Sequence, residues 1–132
     1  MSNTVGEPPP VKRPDLAGER IQDPGQAAIY LIDDNGTRRW IPDPDTYNNL
    51  FRDWYGIDKT EPTREIVLGT QISRGAYLAR VSGTAPVYLI DNGQKRWVSS
   101  SAVMDKFYFN WDKVKPIDAV TLSNIPPGPD IT

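Results

Sequence analysis

The residues of this sequence that are best suited to hold a ligand form two short sets. These sets are Tyr30, Arg39 and Trp40, and then Tyr88, Arg96 and Trp97. In each set, aromatic rings offer apolar faces for stacking and a guanidinium offers planar hydrogen-bond donors. A sugar ring is recognised by such groups, so the pattern favours two equivalent carbohydrate sites. Core packing is the commoner role of a Trp ring, because Trp is usually mostly buried.

Each arginine belongs to a basic pair, at 38–39 in the first set and at 95–96 in the second. Such a pair could bind an anionic group, for example a sulfate, a phosphate or a carboxylated sugar. The simpler interpretation, which we prefer, is pairing with Asp33 and Asp91 across the strands. The sequence leaves both roles open.

The composition argues against most catalytic chemistry. The 132 residues include no Cys and no His, which excludes disulfides, thiolate nucleophiles, and the commonest general base and zinc ligand. Acidic residues at 33–34 and 43–45 do not follow the alternating series of a calcium loop. We therefore expect no enzyme, no metal and no cofactor. An enzyme that uses carboxylates alone is the last of the hypotheses.

Charge and hydropathy narrow the range of partners. Fifteen basic and 17 acidic residues give a net charge of −2, so no general attraction to nucleic acid is expected. No apolar run reaches the roughly 18 residues that suggest a membrane span, so we expect no membrane insertion. The N-terminal "MSNTVGEPPP" has neither the basic nor the apolar region of a signal peptide.

The chain repeats itself after an N-terminal tail. Residues 1–17 contain "EPPPVKRP" and predict a disordered, Pro-rich tail. Two units follow, 18–74 and 75–132, with equivalent residues 57 to 59 positions apart. Trp54 and Trp111 are one of these equivalent pairs, and we expect both in the core. Neither unit has enough apolar area to fold securely alone, so the two together are expected to form one compact domain.

Each unit predicts a β-hairpin at an Asn-Gly turn, in "IYLIDDNGTRRWI" and in "VYLIDNGQKRWV". In the second unit, a two-residue loop at 92–93 places Tyr88 opposite Trp97. The extra Asp of the first unit requires a three-residue loop at 34–36 if the matching tyrosine, Tyr30, is to face its tryptophan.

A short helix is expected after each hairpin. Asp43 followed by Pro44 predicts the first helix start, and Ser99 or Ser100 predicts the second. The predicted fold class is therefore α+β and mainly β, with two tandem hairpin-plus-helix repeats related by pseudo-twofold symmetry.

The repeated pattern resembles a known kind of module. The motif "A-[AP]-[IV]-Y-L-I-D-N-G-x-[KR]-R-W-[IV]", followed by "F-x-W-D-x-V" and "I-P-x-G-P-D-I", is similar to a poorly characterised tandem repeat of bacterial secreted and surface-associated proteins. The resemblance covers residues 18–131, and the first unit departs from it after Trp54. It implies an extracellular or cell-surface accessory module, and it carries over no catalytic residue.

These observations favour a non-catalytic binding module of a lectin-like, carbohydrate-binding kind. The alternative is a structural or protein–protein interaction repeat, which would bind itself or another protein. Exposed apolar side chains at Tyr55 or Phe109 would then form the partner surface.

Overall fold

The computed structural model describes residues 8–132, which form an α+β fold that is mainly β. Within this range the strands make a three-stranded sheet in the order β1-β2-β3 and a four-stranded sheet in the order β6-β5-β4-β7. The strands are β1 Arg20–Gln22, β2 Ile29–Ile32, β3 Arg38–Trp40, β4 Tyr77–Arg80, β5 Val87–Asp91, β6 Gln94–Val98 and β7 Lys115–Pro116. The helices are α1 Pro44–Leu50, α2 Ser101–Lys106 and α3 Ala119–Ser123, with 3-10 turns at Pro14–Leu16, Thr63–Glu65 and Trp111–Lys113.

Both hairpins have the predicted registers. Tyr30 pairs with Trp40 across β2 and β3, and Tyr88 pairs with Trp97 across β5 and β6. The first turn is the three-residue loop at 34–36, closed by a hydrogen bond from the Asp33 N–H to the Thr37 carbonyl at 2.9 Å. The extra Asp is therefore absorbed in the turn, and both hairpins keep the same faces.

The two turns predict a graded response to alanine. Gly36 has a φ of +86°, and a Cβ there would lie 2.5 Å from the backbone nitrogen of Pro14. Gly93 has a φ of +72° with no atom within 4 Å of such a Cβ. We expect Gly93→Ala to lower the free energy of unfolding by about 1–2 kcal/mol from backbone strain alone. Gly36→Ala should lower it further, as measured by urea denaturation; equal losses would contradict this placement of Gly36.

The first two helices begin at the residues that the sequence predicts. The Asp43 side chain accepts a hydrogen bond from the Thr46 N–H at 2.7 Å, with Pro44 as the first residue of α1. Ser100 accepts from the Val103 N–H at 3.2 Å and starts α2. Both caps satisfy backbone donors that the first turn of a helix leaves free.

The largest apolar cluster draws on both halves of the chain. Its buried members are Leu31, Ile41, Tyr47, Leu50, Phe51, Ile72, Ala76, Leu78, Val87, Leu89, Val98, Val103, Met104, Phe107, Phe109 and Ile131. The rings of Phe51 and Phe109 stack with their centroids 5.9 Å apart, and the N–H of Asn110 donates to the carbonyl of Leu50 at 2.8 Å. Phe109 is fully buried, so the prediction that it could belong to an exposed partner surface is wrong.

Part of the predicted tail is anchored. Val11 forms a parallel bridge with Ile66, and Leu16 packs against a small cluster of Ile21, Ile32 and Ile66. Residues 11–17 thus differ from the poorly packed tail that the Pro-rich sequence suggests, while 1–7 lie outside the described residues. Between residues 8 and 132, no helix combines the length and the apolar character needed to cross a bilayer.

Candidate functional site

The alternation of the strands separates the arginines from the tryptophans. Neighbouring residues of a strand point to opposite faces of the sheet. Leu31 pairs with Arg39 on the face that packs on the core, and Tyr30 pairs with Trp40 on the other face. The second hairpin has the same arrangement. The arginine and the tryptophan that the sequence assigns to one site therefore lie on different faces.

The two arginines lie together at the base of a cleft that both hairpins line. Arg39 and Arg96 are only 4% and 6% exposed, and each pairs with a carboxylate of the other hairpin. Arg39 forms an ion pair with Asp91, and Arg96 binds Asp33 through two nitrogens at 2.9 and 3.2 Å. The carboxylates are the predicted partners, but the main pairing runs between the hairpins. We call these four residues the central cluster.

Residues of the central cluster also form hydrogen bonds with the neighbouring loops. The Nε atoms of Arg39 and Arg96 donate to the carbonyls of Thr70 and Pro129, each at 2.8 Å. Asp91 accepts hydrogen bonds from the N–H and the hydroxyl of Ser73 at 2.8 and 3.0 Å. Because these contacts are internal, the cluster locks the two hairpins and their flanking loops together. A cleft of about 700 Å³ lies over it, but the arginines point into their own partners.

Asp33 is the acidic centre of this arrangement. Burial alone would raise its pKa, but the hydrogen bonds and charge of Arg96, with the charge of Arg39, lower it by more. The pKa of Asp33 consequently lies below the ordinary value of an aspartate. Asp33 is therefore ionised at neutral pH, and its charge is compensated by the two arginines.

Tyr30 and Tyr88, the two tyrosines predicted as ligand-binding residues, pack against side chains of the protein. Tyr30 is half-buried, with the guanidinium of Arg38 over its ring at 4.7 Å from the centroid. Tyr88 is also half-buried and packs against a cluster that contains Ala79 and Leu122. Neither tyrosine lines the grooves described next.

A first groove of about 410 Å³ lies between the end of β3 and the start of α1. Its lining residues are Ala27, Ala28, Ile29, Trp40, Ile41, Pro42, Asp43, Pro44, Tyr47 and Trp54. Trp40 is 37% exposed and Trp54 is 45% exposed. The Trp54 ring stacks on Tyr47 with centroids 3.9 Å apart, and its Nε1 donates to Asn48 at 2.9 Å. The ring is thus held in place while much of it remains accessible.

A second groove of about 370 Å³ lies at the matching place beside β6 and α2. It is lined by Arg80, Ala85, Pro86, Val87, Trp97, Val98, Ser99, Ser100, Ser101, Met104 and Trp111. Every lining residue of the first groove has a counterpart here, 57 or 58 positions later in the chain. Arg80 is the additional member. Trp97 and Trp111 are 39% and 42% exposed.

Two of the groove tryptophans lie at the surface and not in the core. The sequence predicts Trp54 and Trp111 in the core, but each is exposed at a groove. They are the groove residues that the sequence pattern does not identify. Of the six predicted site residues, only Trp40 and Trp97 line these grooves.

The grooves can offer aromatic faces with a few polar groups at their edges. The carboxylate of Asp43 caps α1 and forms an ion pair with Arg74, and its hydrogen bonds with Thr46 and the charge of Arg74 lower its pKa. Among residues 8–132, no group of three or more acidic side chains is placed to hold a metal ion. The exposed faces of the tryptophan rings are the groups in each groove on which a ligand can stack. Neither family models, nor curated proteins, nor solved structures give a match to this chain.

Proposed function

We propose that this protein is a non-catalytic carbohydrate-binding module built from two tandem units related by a pseudo-twofold axis. The observation that carries the proposal is the pair of grooves, each lined by two exposed tryptophans at matching positions. The resemblance of the repeat to modules of bacterial surface proteins is the reason for proposing an extracellular setting.

The physical basis of binding is the stacking of a sugar on the tryptophans. A pyranose ring has an apolar face of C–H groups, which gains dispersion energy and loses contact with water on an indole ring. Two rings in one groove, Trp40 with Trp54 or Trp97 with Trp111, can hold one sugar between them or two successive sugars. Two weak sites on one rigid body gain avidity on a polymer, because the second binding event becomes intramolecular.

A second candidate function is binding of another protein. Tyr55 is 81% exposed, and it lines a hollow of about 470 Å³ that shares Ala27, Ile29 and Trp54 with the first groove. An exposed aromatic beside an apolar groove is also typical of a protein contact. A mass that rises with concentration in light scattering, together with no glycan binding, would favour this candidate.

Removal of one tryptophan from each groove tests the proposal. We expect Trp40→Ala and Trp97→Ala each to weaken binding at its own groove and the double variant to lose detectable binding on a glycan array. Loss of a central aromatic contact weakens a site on the order of tenfold or more. The control is Val120→Ala, which removes an exposed apolar side chain that lines neither groove. A folded double variant that still binds the same sugars would overturn the assignment.

A further inference from the structure

We propose that the second groove binds an acidic sugar, a hexuronic acid unit, whose carboxylate is held by Arg80, and that the first groove binds an uncharged sugar. This inference rests on the proposed carbohydrate binding and adds the ligand class of each groove. It follows from three residues of the second groove, Arg80, Ser99 and Ser101, whose equivalents in the first unit are Gln22, Pro42 and Pro44.

The first difference is Arg80 at the end of β4. Its side chain is exposed at the second groove, and within residues 8–132 it makes no ion pair or side-chain hydrogen bond. Its backbone is fixed, since the carbonyl accepts a hydrogen bond from the Ile117 N–H at 3.0 Å. A free guanidinium on a fixed strand end can bind a carboxylate with two parallel hydrogen bonds.

The corresponding position of the first unit carries no charge. Gln22 lies 58 positions before Arg80, at the end of β1 opposite Ile29. Its amide nitrogen already donates to the Gln26 carbonyl at 2.8 Å. The charged residue of the first groove is Asp43, and its ion pair with Arg74 compensates that charge.

Further differences include two serines in place of two prolines, and Ser100 in place of the acidic Asp43. Ser99 and Ser101 of the second groove correspond to Pro42 and Pro44 of the first. A serine hydroxyl can donate a hydrogen bond to a carboxylate or a sugar oxygen, and a proline has no donor. With Arg80, the second groove therefore has three donor positions, whereas the equivalent positions of the first unit are two prolines and an uncharged glutamine whose amide already donates to Gln26.

The test compares acidic sugars with their neutral esters, with the binding groove identified by NMR. The four indole N–H signals, assigned with single Trp→Phe variants, report Trp40 and Trp54 separately from Trp97 and Trp111. The probes are short oligomers of galacturonic, glucuronic and mannuronic acid, together with the methyl ester of each. We expect at least one acid to shift the Trp97 and Trp111 signals. Its dissociation constant, taken from these shifts, should be about tenfold lower than that of its ester. Added salt should weaken this binding.

The two units supply matched substitutions. Arg80→Gln gives the second groove the residue of the first and should reduce the affinity for the acid about tenfold. Gln22→Arg should give the first groove an affinity for the acid, seen at Trp40 and Trp54. Arg64→Gln is the control, because it makes the same charge change at an exposed residue that lines neither groove.

The outcomes separate this inference from the proposed function. If neutral sugars shift both pairs of indole signals while acids show no preference for the second groove, only the ligand assignment is overturned. An acid affinity that Arg80→Gln leaves unchanged overturns it too. If no sugar from these probes or from a broad glycan panel shifts any indole signal, the proposed carbohydrate binding fails with it.

Discussion

Replacement of Asp33 by asparagine is expected to lower the free energy of unfolding by about 3–5 kcal/mol, the usual loss when one partner of a buried ion pair is removed. Asparagine has nearly the same shape, so the change removes charge and little volume. Arg96 would keep its position with its two bonds to a carboxylate replaced by weaker bonds to a neutral amide. Domains of this size are stable by only about 5–15 kcal/mol, so a large part of the stability is at stake. Guanidinium denaturation measures the change.

An exposed ion pair provides the matched control. Asp15 pairs with Arg13 at 2.9 Å at the surface, where solvent screens the attraction. Asp15→Asn should therefore leave the denaturation midpoint nearly unchanged. If Asp33→Asn and Asp15→Asn had similar effects, the central cluster would contribute little to stability.

Because the pKa of Asp33 is lowered in the folded protein, the stability difference between the wild type and Asp33→Asn should depend on pH. Because the folded-state pKa lies below the unfolded one, the stabilisation by this carboxylate is fully present above the unfolded pKa of about 3.9. It is lost as pH falls through the folded pKa. The difference in stability between the wild type and Asp33→Asn should be constant near neutral pH and shrink below about pH 4. A difference that grows with acid would contradict the assigned direction.

Local features of this fold could be read from the sequence because neighbouring residues determine them. The Asn-Gly turns, the one-residue insertion and the alternation of apolar residues together specify which residues face each other in both hairpins. The caps at Asp43 and Ser100 are likewise short-range signals. Each of these predictions depends on fewer than about fifteen consecutive residues.

The site was harder to predict because it depends on how the hairpins are placed. The pairing of Arg39 with Asp91 and of Arg96 with Asp33 brings together residues far apart in the chain, and no local pattern encodes that exchange. One signal was nevertheless present. Arg39 and Trp40 are neighbours in a strand, so alternation already places them on opposite faces.

The path of the chain after α1 determines the position of Trp54, and the same holds for Trp111 after α2. Tyr47 and Leu50 face the core from α1, and Phe51, directly after the helix, is buried as well. A preference of Trp for buried sites is an average over proteins. Here the local packing decides, because the Trp54 ring stacks on Tyr47 and stays 45% exposed.

The second half of the chain, residues 75–132, should not fold by itself. A chain of about 60 residues buries only about 60% of the surface that it exposes when unfolded, so it is marginal even with an intact core. This half would also lose the contact of Phe51 with Phe109, and Arg96 would lose Asp33. We expect the isolated half to show no cooperative thermal transition by circular dichroism and poorly dispersed amide signals by NMR.

The control for this prediction compares each half of the chain alone with the two halves mixed. Separately produced fragments 1–74 and 75–132 should each be unfolded but should together recover dispersed signals and a cooperative transition, because the core and the central cluster then form between them. Fragment 1–74 with Asp33→Asn should restore much less structure, since the buried arginine of its partner would lack that carboxylate. A cooperative transition in either fragment alone would instead mean that each unit has a sufficient core, and that the central cluster joins two independent folds rather than completing one.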